Sequence, residues 1–296
     1  MFSRHLMTLA AAGLLCGLTT LAYGARYATR FTDREGDTRS LHAESHTQYL
    51  KSTTVEGAQP QDTGVGFHFN WDAVEKVVSV RNGVSTFDYH QREGKATEEH
   101  IGAAAEKPTE ETLYPMQFTY SRKASGEVTN VDTPIDRPGG ILWFRGTNPL
   151  SPFQVLAYPF GHNLVFPGGS MKDGQTWTQT AVVEMRDDFP VEVSAVFKID
   201  GKRKIDNRDL LQITGIMAGK RGPEARDWKN ERGETVSGTY AGTVKGKIVY
   251  LFDPAAGAMQ RVTTELASVQ ELKQPGKTVT LTDKLNTLLD YLPAGK

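Results

Sequence analysis

The stretch VVSVRNGVSTFDY, residues 77–89, carries the strongest hairpin signal of the chain and indicates a β fold. Two runs of alternating apolar and polar residues flank Asn82-Gly83, a dipeptide suited to the positive φ angles of a type I′ hairpin turn. A two-residue turn fixes the register of the strands that it joins. The expected pairs are Arg81 with Val84, Val80 with Ser85, Val78 with Phe87, and Lys76 with Tyr89.

This register gives the hairpin one apolar face and one polar face, because directly paired residues share a face of the sheet. The apolar face is expected to contain Val78, Val80, Phe87 and Tyr89. The polar face is expected to contain Glu75, Ser79, Arg81, Asp88 and His90.

Alternation with a period of two recurs along the chain and predicts further antiparallel strands. In one run, Val191, Val193, Ala195, Phe197 and Ile199 share a face. In another, Trp177, Ala181, Val183 and Met185 do so. Further strands are expected near 27–32, 40–50, 116–120, 127–131, 210–217, 247–252 and 259–272. Short turns between them predict a mainly β protein: an open, curved antiparallel sheet with a half-barrel-like meander.

Four segments depart from the alternating pattern. Residues 56–66, 94–112 and 219–234 are expected to be irregular. Near the C-terminus the period changes, and four leucines follow a helical spacing of i, i+3, i+4 and i+7 before Pro293. They are Leu285, Leu288, Leu289 and Leu292. A short C-terminal helix lying on the sheet is therefore predicted.

The composition is that of an ordinary globular protein. The chain has 296 residues, 38% of them hydrophobic and 23% charged, which excludes a wholly disordered chain, collagen and a multi-span membrane protein. Its 34 basic residues nearly balance 35 acidic ones, so no overall field favours nucleic acid as a partner. We expect one β-rich domain over residues 25–296, with two lobes meeting near 137–169 as the alternative.

The first 24 residues match a secretory signal peptide. Arg4 and His5 precede an apolar run, and Ala22-Tyr23-Gly24 supplies the small residues that signal peptidase requires. Cys16, the single cysteine, follows two leucines and lacks the small preceding residue of a lipobox. We expect cleavage near Gly24, no membrane anchor afterwards, and an extracytoplasmic location, periplasmic or secreted.

No catalytic or metal-binding motif is complete. His42 and His46 suggest a metal pair, but on the predicted strand they lie about 13 Å apart and point outward. Ala43 also stands where the zincin motif needs glutamate. Gly276-Lys277-Thr278 lacks the first glycine of a phosphate-binding loop, and Ser170 lacks the later glycine of a nucleophile elbow. We therefore expect no catalytic residue, no metal site and no cofactor.

Residues 141–168, which we call the aromatic segment, contain six aromatic residues, and four prolines keep this segment from forming regular strands. Such side chains must be buried, either as a permanent plug on the apolar face of the sheet, which we favour, or as a lid over an apolar ligand cavity. As candidate ligand-binding residues we select Trp143, Phe144, Phe153, Tyr158, Phe160 and Phe166.

Three motifs resemble a group of uncharacterised exported bacterial β-rich proteins. These are residues 166–177, with the pattern F-P-x(6)-D-G-x-x-W, residues 118–128, with FTY followed by GEV, and residues 250–257, with YLFDP and a later glycine. That group is similar to the half-barrel of lipoprotein carriers of the LolA and LolB type. The resemblance implies a fold and no catalytic residue.

The sequence thus favours a non-catalytic extracytoplasmic binding protein, with an apolar or lipid-like ligand as the most specific version. The first alternative is a structural or protein-interaction module of the cell envelope, whose sheet edge recruits a partner strand. A hydrolase whose site is assembled from scattered residues is the second alternative.

Overall fold

The computed structural model describes residues 26–102, 107–113, 115–132, 160, 164–185, 189–229 and 232–292. The expected signal peptide and most of the aromatic segment fall outside these ranges. Within them the regular elements are all β-strands, so the mainly β class is confirmed. None of the described residues forms a helix with the length and apolar character needed to cross a membrane.

The described residues form fifteen strands. In chain order they are β1 (Arg26–Ala28), β2 (Thr38–Val55), β3 (Gln61–Arg81), β4 (Val84–Gln91), β5 (Gly94–Ile101), β6 (Thr109–Leu113), β7 (Met116–Lys123), β8 (Val128–Asp132), β9 (Ser170–Lys172), β10 (Thr176–Met185), β11 (Phe189–Ile205), β12 (Arg208–Lys229), β13 (Thr235–Asp253), β14 (Ala258–Gln274) and β15 (Lys277–Leu292).

Thirteen of these strands form one antiparallel sheet. Its order is β10-β11-β12-β13-β14-β15-β2-β3-β4-β7-β8, and the β5–β6 hairpin attaches beside β3. Most neighbours follow one another in sequence, which confirms the predicted meander. The order ends at β10 on one side and β8 on the other, so the sheet is open. The last strand, β15, pairs with β2 in the middle.

One face of the long strands carries the core. Along β11 the predicted face is confirmed, since Val191, Val193, Ala195, Phe197 and Ile199 are all fully buried. We call this side of the sheet the inner face, and the opposite side the outer face. Alternation places the next residue of each strand outside, as with Val196, which is 50% exposed.

The hairpin of residues 77–89 is only partly as predicted. Asn82 and Gly83 form its turn with φ of 51° and 75°, and Arg81 and Val80 pair with Val84 and Ser85 as expected. A bulge between Val77 and Ser79 then shifts the register. The predicted pairs of Val78 with Phe87 and Lys76 with Tyr89 are therefore wrong.

The bulge changes which residues of the hairpin are buried. Val77 pairs with Phe87 and Glu75 pairs with Tyr89. Val77 and Glu75 are each 1% exposed, whereas Val78 and Val80 are 40% and 38% exposed. The predicted apolar face is thus wrong for Val78 and Val80, and the predicted polar face is wrong for Glu75.

The predicted C-terminal helix is wrong, because those residues form β15. This strand pairs along its length with β14 on one side and β2 on the other. Its backbone N–H and C=O groups therefore bond to two neighbouring strands, whereas in a helix they would bond to each other. Leu285 and Leu289 are buried on the inner face, and Leu292 is 41% exposed. Leucines four residues apart share one face of a helix and also share one face of a strand, so their spacing alone does not distinguish the two.

The three segments expected to be irregular also contain long strands. β3 begins at Gln61, β5 and β6 occupy much of 94–113, and β12 continues to Lys229. The charged part of β12 pairs with β13 as far as Lys229 and Thr235. Pairing with a long neighbouring strand thus overrides the weak local preference for strand.

Two segments, residues 26–33 and 164–172, join the far ends of the sheet, and we call them the bridging segments. They pair with each other through β1 and β9. Phe31 and Phe166 donate backbone hydrogen bonds of 2.8 Å to Ala124 and Ser125, in the turn after β7. The indole of Trp177, on β10 at the other end, donates to the Val165 carbonyl at 2.9 Å. The sheet therefore curls, and the bridging segments span the gap.

Close contact at this junction requires a glycine. Gly126 has a φ of 104°, and a Cβ atom there would lie 1.9 Å from the Leu164 carbonyl oxygen. Any larger residue would push the second bridging segment away from the turn after β7.

Candidate functional site

The inner face holds the two described members of the aromatic segment. Phe160 is 1% exposed and meets the ring of Phe197 edge-on, with 5.8 Å between centroids. The hydroxyl of Tyr250 donates a hydrogen bond of 2.6 Å to the Phe160 carbonyl. Phe160 is thus held to the inner face by both its ring and its backbone.

Phe166 lies where the second bridging segment meets the sheet. It is 2% exposed, and its ring centroid lies 5.1 Å from Phe252, 5.9 Å from Phe31 and 6.1 Å from Trp177. These rings come from β13, the first bridging segment and β10. Phe166 therefore packs at the point where both ends of the sheet meet.

The structure brings Phe160 and Phe166 to the same aromatic interior. The other four selected residues lie outside the described part of the chain; they are Trp143, Phe144, Phe153 and Tyr158. Their role as ligand-binding residues stays a prediction, as does the choice between a plug and a lid.

A buried charged cluster, which the sequence pattern did not predict, fastens the first bridging segment. Arg122 donates to both carboxylate oxygens of Asp33, at 2.9 and 3.2 Å, and Arg39 pairs with the same carboxylate. The side chains of Arg122 and Asp33 are each 2% exposed. Burial alone would raise the pKa of Asp33, but the charges of Arg122 and Arg39 outweigh it and lower that pKa.

Aromatic rings complete the environment of Arg122. Its guanidinium lies 4.0 Å from the centroid of Phe31 and 4.6 Å from that of Phe87, distances at which the π faces stabilise the cation. The alternating pattern of β7 could have predicted that Arg122 is buried, because Arg122 shares a face of the strand with Phe118 and Tyr120.

Glu75 gives the cluster its second carboxylate. It accepts a hydrogen bond of 2.9 Å from the buried hydroxyl of Tyr120. The charge of Glu75 also acts on Arg39, so two acidic side chains, Asp33 and Glu75, lie with two guanidinium groups, Arg39 and Arg122. The cluster is neutral overall and buried, which suits fastening a segment to the sheet better than acting on a substrate from solvent.

The outer face of β15, β2, β3 and β5 carries an open groove of about 530 Å³. His46 and His68 lie within it with their rings stacked, 3.9 Å between centroids. Burial and the neighbouring His68 lower the pKa of His46. Lys95 and Glu44 also line the groove, so its polar groups include one side chain of each sign.

His42 and His46 do not come together. Both lie on the outer face, as expected, but His42 bonds to Asp72 at 2.8 Å and to Glu44 at 3.2 Å, while His46 stacks on His68. The hydrogen bond to Asp72 is the main cause that raises the pKa of His42. In the described ranges, no three His, Cys, Asp or Glu side chains converge as metal ligands.

Comparisons with known proteins found no matching family model and no matching curated protein. Among solved structures, a DUF1329 family protein from Desulfovibrio piger matches at 8% identity and a TM-score of 0.18, over 86% of this chain and 87% of that chain. The COG4313 outer membrane channel from Pseudomonas putida F1 matches at 7% identity and a TM-score of 0.24, over 88% and 97%. Superpositions this loose establish neither a function nor the resemblance to lipoprotein carriers.

Proposed function

We propose that this chain is a non-catalytic binding protein of the bacterial envelope, located outside the cytoplasm, that holds an apolar or lipid-like ligand against the inner face of its sheet. The observation that carries the proposal is the aromatic interior around Phe160 and Phe166. Rings from distant strands converge there, including Tyr250 and Phe197. Apolar surfaces with a few polar groups are the usual lining of small-molecule sites.

The way the sheet is spanned supports entry of a ligand. Between β10 and β7 the described contacts run through the bridging segments, using isolated hydrogen bonds such as Trp177 to Val165 and Phe166 to Ser125. Separating such a junction breaks fewer bonds than separating two strands of a ladder. Opening the junction would therefore part few backbone hydrogen bonds, and it would also expose the buried rings of Phe31 and Phe166 to the incoming ligand.

The sequence supports the location. Its first 24 residues match a secretory signal peptide. A carrier outside the cytoplasm would meet lipids of the envelope.

The test is binding by the mature chain. Protein purified from its own envelope should show co-purifying lipid in native mass spectrometry, and a fluorescent fatty-acid probe should bind the delipidated protein saturably. Ile216→Ser, a change on the outer face where Ile216 is 56% exposed, should leave probe binding unchanged. Absence of both co-purifying lipid and saturable probe binding would overturn the proposal.

A second candidate, a protein-interaction module of the envelope, is favoured by a different surface. Val196 and Ile216 pair directly on the outer face and are 50% and 56% exposed. They lie on β11 and β12, the two strands next to β10, which is the terminal strand of the described sheet. Exposed apolar side chains next to a terminal strand suit addition of a partner strand. Capture of an envelope protein that Ile216→Ser abolishes, without lipid binding, would favour this candidate.

A further inference from the structure

The middle of the inner face contains a polar island. Four hydroxyl side chains lie there on adjacent strands, and we call them the hydroxyl island: Ser45 and Thr47 on β2, Thr264 on β14 and Thr287 on β15. Thr264 pairs with Thr287, and Thr287 pairs with Ser45, so these three form a row across the sheet with neighbouring Cβ atoms about 5 Å apart. Thr47 lies one inner-face position further along β2.

The island is enclosed by apolar residues. Ile248 and Phe69 are the next residues of the same row on either side. Along the three strands, one inner-face position away, lie Val262, Leu289 and Ala43 on one side, and Leu266 and Leu285 on the other. No member of the island is charged. It is therefore a neutral hydrogen-bonding patch within an apolar floor.

Within the described part of the chain, three of the island's hydroxyls are buried and lack a hydrogen-bond partner. Ser45, Thr47 and Thr264 are 3%, 2% and 2% exposed, and their oxygen atoms have no hydrogen-bond partner among the described residues. A buried hydroxyl that lacks a partner destabilises a protein, and native structures contain few such groups. Three on one patch leave hydrogen-bonding capacity that a bound polar group could satisfy.

We propose that the hydroxyl island binds the uncharged polar group of an otherwise apolar ligand, such as the hydroxyl of a long-chain alcohol or the glycerol group of an acylglycerol. The apolar surroundings accept the hydrocarbon chain, and the hydroxyls both donate to and accept from the polar group. An ionised carboxylate or phosphate is disfavoured, because the island offers no cation to balance its charge. This inference rests on the proposed function and specifies the ligand class.

The test compares two probes that differ in one group, decan-1-ol and decane, by displacement of an uncharged reporter, the methyl ester of the fluorescent fatty acid, from the mature chain. The variants are Thr47→Val, Thr264→Val and Ser45→Ala, which remove a hydroxyl and preserve or nearly preserve side-chain shape. Thr263→Val is the matched control, since Thr263 is the neighbour of Thr264 on the opposite face of β14.

Each island variant should weaken decanol binding about three- to tenfold, the range for one hydrogen bond, and leave decane binding unchanged. Thermal unfolding without ligand supplies a second readout. Removal of an unpartnered hydroxyl should raise the melting temperature or leave it unchanged. The control should change neither probe's affinity.

The outcomes separate this inference from the proposed function. If both probes bind saturably but the ratio of their affinities is the same in every variant, the inference is overturned and the proposed function stands. A lowered melting temperature with an unchanged ratio also overturns it, because the hydroxyls would then bond internal water that supports the fold. If neither probe binds, the proposed function fails, and the inference falls with it.

Discussion

The hydroxyl of Tyr250 donates a hydrogen bond of 2.6 Å to the carbonyl oxygen of Phe160, across 90 positions of the sequence. Both groups are buried, and burial raises the pKa of Tyr250 well above its usual value, so the phenol keeps its proton. This bond ties Phe160 to β13 near the end of that strand.

Tyr250→Phe should therefore lower stability without disturbing the packing of the ring. The change leaves the Phe160 carbonyl without its donor, at a cost of about 1–3 kcal/mol. Denaturant unfolding measures this as a lower midpoint with an unchanged slope. An unchanged midpoint would mean that the segment leaves the inner face in solution.

The effects of Phe166→Ala and Trp143→Ala on stability and probe binding should show whether the aromatic segment is a plug or a lid. Phe166→Ala removes a buried ring at a cost of about 3–5 kcal/mol, which lowers the melting temperature by on the order of ten degrees. If the segment is a lid, Trp143→Ala weakens binding of the fatty-acid probe and has little effect on melting. A large loss of stability in both variants, with no saturable probe binding by the unmutated protein, would favour a permanent plug and an envelope scaffold.

The pairing of Asp33 with Arg122 and Arg39 should make stability depend on pH. Because the folded pKa of Asp33 lies below the ordinary value of 3.8, its contribution is present at neutral pH and is lost as pH falls below about 4 toward the folded pKa. Asp33→Asn should cost about 3–5 kcal/mol at pH 7, since it leaves two buried guanidinium groups short of a carboxylate.

The matched control for that variant is Asp290→Asn, which breaks a more exposed pair with Arg261 at 2.7 Å and should cost no more than about 1 kcal/mol. Urea unfolding of the two variants at pH 7 and pH 3 provides the measurement. A penalty for Asp33→Asn that does not shrink at pH 3 would contradict the assignment.

Secretion should produce a mature chain that starts at Ala25 or within a residue or two of it, because Ala22 and Gly24 provide the small side chains that signal peptidase requires. N-terminal sequencing of exported protein decides the point. A chain that retains Met1, or one that begins at an acylated Cys16, would overturn the expected location.

Treatment with a chelator should leave the melting temperature unchanged. His42 forms hydrogen bonds with Asp72 and Glu44, whereas His46 stacks on His68. The two histidines of the sequence motif therefore contact different neighbours. Stoichiometric zinc or copper in the purified protein, together with a chelator-induced fall in melting temperature, would show that these groups bind metal.

The sequence alone determined the features that depend on near neighbours. Asn82 and Gly83 form the turn because these two residue types adopt positive φ angles with little steric strain. Alternation along β11 predicted the buried face from Val191 to Ile199 for the same local reason: successive side chains of a strand point to opposite sides. The mainly β class and the meander followed from such patterns.

Tertiary structure decided the features in which distant partners outweigh local preference. β15 is a strand because β14 and β2 pair with both of its edges, although its leucines also fit a helix. Glu75 is buried because a bulge at Val77 turns it toward Tyr120, and Arg122 is buried because Asp33 balances its charge. The hydroxyl island likewise exists only once β14, β15 and β2 are aligned, because register between strands far apart in sequence is fixed by the whole sheet.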